Sequence, residues 1–93
     1  MTADTASVQV WLVERAVAED KPNLIVLVYA TPDGERYVMK ERAITGYSES
    51  HLTTAAVAVN PDELDAVDDE ILRNQYAAEA TRMATVHDPD DPI

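Results

Sequence analysis

Cysteine is absent from this 93-residue chain, and so is phenylalanine. Without cysteine there can be no disulfide framework, no thiolate metal site and no cysteine nucleophile. Only two glycines occur, Gly34 and Gly46, so a glycine-rich phosphate cradle or dinucleotide fingerprint has nothing to be built from. No apolar run approaches the ~18 residues of a membrane span, and the opening MTADTASVQ lacks the basic region and apolar core of a signal peptide. A cytoplasmic location and no membrane partner are expected by default. Positive charge is scarce as well. Seven bases, five of them arginine, face eighteen acids, for a net charge of −11.

What is present suffices for one domain spanning residues 1–93. The apolar fraction is 46%, drawn from Val, Leu, Ile and Ala around the single tryptophan, Trp11. A chain of this size buries roughly 60–70% of the surface its unfolded form exposes, enough for one modest core. Residues 1–6, small and polar, and residues 88–93, with two prolines and three acids, are expected to be disordered tails.

Between the tails the pattern predicts an α+β fold: a three- to four-stranded antiparallel meander followed by one C-terminal helix packed on one face. Ser7–Val17 is rich in β-branched residues that suit a strand. Strict alternation puts Val8, Val10 and Leu12 on one side and Gln9, Trp11, Val13 and Arg15 on the other. Asp20-Lys21-Pro22-Asn23 reads as a turn. Leu24–Ala30 is apolar on both faces, the mark of a central strand with cover above and below. Thr31-Pro32-Asp33-Gly34 is a hairpin signal, since Pro presets the first turn dihedral and Gly accepts the positive φ that closes it. Glu35–Ala43 then returns antiparallel. Thr53–Val59, with Ala55, Val57 and Val59 inward, is a fourth strand that fits beside either the third or the first.

Asn60-Pro61 is a good helix start, an N-cap followed by a residue whose missing N–H costs nothing there. Two apolar stripes follow: Leu64, Val67, Ile71 and Ala78, and, rotated by about 100°, Leu72, Tyr76 and Met83. They conflict unless the helix breaks near Asp68-Asp69, so a short first turn and a main helix over 69–86 are expected.

The chemistry-bearing groups favour plain readings. Asp62, Glu63, Asp65, Asp68, Asp69 and Glu70 hold oxygens a hard cation would accept, yet no sharp glycine sits among them as a calcium loop requires. They read as a solvated face that complements the helix dipole. His87 beside Asp88, Asp90 and Asp91 reads as a helix terminator. Tyr47-Ser48-Glu49-Ser50-His51 sets hydroxyls beside an imidazole, but adjacent loop residues lack the geometry of a nucleophile, its base and an oxyanion hole. No catalytic residue, metal ligand or cofactor site is assigned, and the chain is read as a non-enzyme.

A surface is assigned instead. Arg36, Lys40 and Arg42 share one side of the third strand and form the only clustered positive charge. If Trp11 and Arg15 share that side, the sheet offers cations beside an aromatic ring, as readers of single-stranded nucleic acid do. The net charge disfavours nucleic acid. One helix cannot cover four strands, so Trp11, Val13 and Val38 are expected on an open apolar face. The candidate interaction surface is therefore Trp11, Val13, Arg15, Arg36, Val38, Lys40 and Arg42, and its partner is a second copy, packed two-fold through that face, or another protein. An interaction module is the leading function, with a nucleic-acid-associated regulator as the alternative and a small enzyme of undefined reaction third.

Two Lys, no Cys, no Phe and abundant acid, Ala, Val and Thr, together with Tyr76-Ala77-Ala78-Glu79-Ala80 through Met83 to His87-Asp88-Pro89-Asp90-Asp91, give a pattern. It resembles small acidic proteins of salt-in halophilic archaea. The local likeness covers about a quarter of the chain and implies a salt-rich interior but no activity. The charge is also uneven, net −3 over residues 1–60 and net −8 over residues 61–93. Such an excess repels itself, and the Debye length falls to about 3 Å at 1 M salt. The free energy of unfolding, measured in urea at increasing KCl, is therefore expected to rise markedly from low to molar salt. A flat profile would show that self-repulsion is unimportant here.

Overall fold

The computed structural model describes residues 7–43 and 53–93. Five strands form one sheet: β1 (Val8–Ala18), β2 (Lys21–Ala30), β3 (Arg36–Ala43), β4 (Ala56–Val59) and β5 (Asp65–Ala66). Their spatial order is β4-β1-β2-β3-β5, and every neighbouring pair is antiparallel. One helix, α1 (Glu70–Val86), follows. The α+β meander with a C-terminal helix is as expected. The fourth strand returns beside β1, and a two-residue fifth strand is added at the far edge.

Each element follows from local chemistry. β1 and β2 are joined through Glu19-Asp20, so the chain turns earlier than the Asp20–Asn23 cluster suggested. Pro22 lies within β2, where the register slips between Val17↔Ile25 and Ala18↔Lys21. An irregular stretch of ladder tolerates a residue with no N–H to donate. The second turn is built as its sequence predicts. Gly34 N–H donates to the Thr31 carbonyl at 2.8 Å, and Gly34 takes φ +74°. The Thr31 hydroxyl donates to Asp33 Oδ1 at 2.6 Å, and the same carboxylate oxygen accepts the Glu35 N–H at 3.0 Å. These bonds hold the Asp33 carboxyl below the usual carboxylate range, the Thr31 hydroxyl contributing most.

After β4 the chain crosses the sheet from one edge to the other. Asn60 caps a 3₁₀ turn, Pro61–Glu63: its side chain accepts the Asp62 N–H at 2.9 Å while Glu63 Oε2 accepts the Asn60 N–H at 3.2 Å. β5 then pairs with Arg36 and Tyr37 at the start of β3. The helix begins only at Glu70, with the Asp69 side chain accepting the Ile71 N–H at 2.9 Å. The break at Asp68-Asp69 settles the conflict of stripes. Tyr76, Ala80 and Met83 turn toward the sheet, whereas Ile71 and Ala78 stay exposed.

Residues opposite one another across strands share a face. One face carries Trp11, Ala30 and Tyr37 in one row and Glu14, Val28 and Met39 in the next. The helix lies on this side, with the Tyr37 and Tyr76 rings 6.4 Å apart and tilted by 51°. The other face carries Leu12, Tyr29 and Val38 in a row. It lies under the crossover: Leu64 packs against the core and Glu63 meets Lys40. Leu27, Val28, Tyr29 and Ala30 are consequently buried on both sides of β2. Each large side chain among them contributes about 1.5–3 kcal/mol by its removal from water.

Residues 88–93 correct the expectation of a loose C-terminal tail. The carbonyls of Pro89 and Asp91 accept the N–H groups of Ala56 and Ala55 at 3.0 and 2.9 Å, and Ile93 N–H donates to the Thr53 carbonyl at 2.9 Å. Proline cannot donate a hydrogen bond, but its carbonyl accepts one, so a proline-rich acidic segment can still close a sheet edge. The expected loose segment 1–6 lies outside the described residues.

The β2–β3 turn is clamped against α1. A Cβ at Gly34 would stand 2.1 Å from the Arg73 carbonyl oxygen and 2.8 Å from the Ala77 nitrogen, both backbone atoms. Gly34→Ala is expected to cost about 2 kcal/mol or more, from positive φ plus forced displacement of the helix. Urea unfolding measures it, and a loss under about 0.5 kcal/mol would mean that turn and helix do not touch. Asp33 has a depressed folded pKa, so its stabilisation is complete above the ordinary aspartate range and is lost as pH falls through the folded value. Asp33→Ala is expected to flatten that acid limb of the stability–pH curve while weakening the fold at neutral pH.

Candidate interaction surface

The basic side of β3 exists as the sequence predicts, with an unforeseen composition around it. Val38, Lys40 and Arg42 alternate along one face, and Arg36 precedes them on the same side. Arg15 stands opposite Leu27, which in turn stands opposite Lys40, so Arg15 and Lys40 share a row. Four of the chain's seven bases therefore lie on one sheet face. Arg15 and Arg36 are exposed, Lys40 and Arg42 half-buried.

Trp11 does not join them. Leu12 opposes Tyr29 while Glu14 opposes Val28, leaving Val13 as an extra residue in β1. A bulge of this kind reverses the alternation beyond it. Trp11 consequently falls on the helix side and Arg15 on the opposite side. The apolar part of the expected surface differs as well. Trp11 is 6% exposed and Val38 8% exposed, both inside the core, and only Val13 is half-buried. The face opposite the helix is not open, because the crossover through Leu64 lies over it.

Electrostatics around the basic row are mixed. Burial pushes the Tyr29 hydroxyl above the ordinary tyrosine range, while Arg42 and Arg15 pull it back. Lys40 Nζ lies 3.4 Å from Glu63 Oε1, a partly exposed pair of the kind worth about 0–1 kcal/mol. Arg15 Nη1 donates to the Ile93 carbonyl at 3.0 Å, tying the C-terminal segment to β1. Among the described residues, Arg42 Nε is buried with no hydrogen-bond partner.

Sequence reasoning missed a second feature on the helix side. α1 runs over β1 and β2 and meets β3 at Tyr37, leaving Met39 and Glu41 exposed. A groove lined by Tyr37, Met39, Val67, Leu72 and Tyr76 results, with Asp68 and Asp69 at its end. Met39 is 55% exposed there, and Ile71, on the adjoining helix turn, is 68% exposed. Alternation placed Tyr37 and Met39 on one side of their strand, but no sequence signal fixes the lateral position of a helix on a sheet.

The remaining candidates stay apart. Among the described residues no group of three or more His, Cys, Asp or Glu is disposed to hold a metal ion. Asp62, Glu63, Asp65, Asp68, Asp69 and Glu70 are all exposed. His87 Nδ1 lies 3.4 Å from Asp91 Oδ2 at the end of α1. The segment Tyr47–His51 lies outside the described residues. Among the described residues no helix is long and apolar enough to cross a membrane.

A family model matches residues 4–93, nearly the whole chain. The chain belongs to DUF7967, a family of unknown function. Neither a curated protein nor a solved structure matches it. Family membership therefore brings no activity.

The position of Trp11 gives a direct check on the bulge. Acrylamide quenching of Trp11 fluorescence is expected to be weak at dilutions where the chain is a monomer by sedimentation. Strong quenching there would return Trp11 to an open face.

Proposed function

We propose that this chain is a non-enzymatic interaction module that receives an acidic partner on the β3 face bearing Arg36, Lys40 and Arg42, with Arg15 alongside. One observation carries the reading: four of seven bases share one sheet face in a chain of net charge −11. Solubility alone gives no reason to gather scarce cations on one face. Such a patch steers and orients an acidic surface even where the molecule as a whole repels it. The composition and the C-terminal likeness support a salt-rich setting, where the surrounding negative field is screened and the patch acts at contact range.

The apolar dimer loses its support, since Trp11 and Val38 are buried within the chain. Self-association stays within the reading only through charge, with the acidic segment before α1 of one copy against the basic face of another. The nucleic-acid alternative loses its aromatic platform, because Trp11 lies on the opposite face and Tyr29 is buried.

Fluorescence anisotropy with labelled poly-L-glutamate and with single-stranded oligothymidylate, in moderate KCl, separates these readings. Poly-L-glutamate is expected to bind, and Arg36→Glu/Lys40→Glu/Arg42→Glu to weaken it at least tenfold with the circular dichroism spectrum intact. Unchanged binding by the folded triple variant would sink the proposal. Preference for oligothymidylate would favour the nucleic-acid reading, and a dimer that the triple variant disperses would identify the partner as a second copy.

A further inference from the structure

The same strand has a second unused resource, its backbone. β2 pairs with β3 along the whole stretch Tyr37–Ala43 on one edge. On the other edge β5 pairs only with Arg36 and Tyr37, because the chain entering β5 comes from the crossover at Leu64. Among the described residues, the outer edge of Met39–Ala43 has no strand beside it. An edge of this kind is a template for one more strand.

The side chains along it say what would fit. On one face stand Lys40 and Arg42; on the other stand Met39, beside the Tyr37–Tyr76 groove, and Glu41. Self-pairing fails on register. Paired residues share a face, so a two-fold axis must be centred on a residue of the edge and set that residue against itself. Centring on Lys40 opposes Lys40 to Lys40, and centring on Arg42 opposes Arg42 to Arg42. Centring on Glu41 opposes Glu41 to Glu41 and Lys40 to Arg42. Centring on Met39 would set Glu41 against Tyr37, whose outer edge β5 already holds, and centring on Ala43 opposes no other pair of described residues. Like charges directly opposite are destabilising, so the edge discriminates against its own copy.

We infer that the outer edge of β3 over Met39–Ala43 accepts an extended segment of a different protein, one that alternates acidic and apolar residues. Its acidic side chains lie against Lys40 and Arg42, and its apolar ones cover Met39 and enter the groove toward Tyr76 and Leu72. Main-chain hydrogen bonds supply affinity without regard to sequence, and the two faces of β3 supply the choice of partner. The inference rests on the proposed acidic partner and adds how that partner is held.

The probe is a seven-residue peptide alternating glutamate and valine, capped at both ends and held near neutral pH. Two N-methylated forms accompany it, one methylated on alternate residues and the other on the intervening ones, so that each blocks the N–H groups of one peptide edge. Backbone pairing uses one peptide edge only. Methylation on one set is expected to reduce binding at least tenfold and methylation on the other to leave it within about threefold. Hydrogen exchange in the complex is expected to slow at every other amide of Met39–Ala43. If both methylated peptides bind like the parent and no β3 amide slows, while Lys40→Glu/Arg42→Glu still abolishes binding, the strand-addition inference is overturned and the acidic-partner reading stands. If Lys40→Glu/Arg42→Glu leaves binding unchanged, both fall together. If none of the three peptides binds where poly-L-glutamate does, strand addition alone is likewise overturned.

Discussion

Everything in this molecule is arranged around one close approach of backbone to backbone, that of Gly34 to the Arg73–Ala77 turn of α1. A side chain at residue 34 would hold the helix off the sheet. With none there, the hairpin turn sits directly on the helix and fixes its position along the sheet. From that point α1 runs over β2 and β1, where Ala80 and Met83 enter the core. The same placement leaves Met39 and Glu41 of β3 bare on the helix side. The groove at Tyr37 and Met39 is therefore the counterpart of the clamp at Gly34.

The sheet's other face is closed by different means. A short crossover, pinned by its own capping box and by Leu64, passes from the β4 edge to the β5 edge. Leu64 packs against the core on this face, where Leu12, Tyr29 and Val38 are buried while Arg15 and Arg36 stay exposed. The cations thus lie at the margin of a covered core. That is how Lys40 and Arg42 come to be half-buried while Arg15 and Arg36 stay exposed.

Much of this was legible in the residues. Alternation fixed the basic side of Arg36, Lys40 and Arg42 because β3 keeps an unbroken ladder with β2. The Thr31–Gly34 turn and the break at Asp68-Asp69 were legible because Pro, Gly and capping Asp act locally. Trp11 was misplaced because Val13 is as apolar as its neighbours. Only the opposing strand reveals that one residue has no partner. The C-terminal segment was misread for a related reason: its prolines and acids describe a chain that cannot donate or bury well. What it does instead is accept, through carbonyls that composition does not weigh. The crossover and the lateral place of α1 are tertiary facts, set by what lies beneath them.

The strand order also sets a schedule for folding. β1, β2 and β3 are consecutive hairpins whose turns can close early, since their loops are short. The β4–β1 ladder joins Val8 to Val59, about fifty residues apart in the chain, and its loop-closure entropy must be met before any of its hydrogen bonds return a gain. The hairpin meander can therefore assemble while β4, the crossover and α1 are still unfixed. During that interval both faces of β2 lie open to water, to be covered only when the crossover and α1 arrive on their two sides.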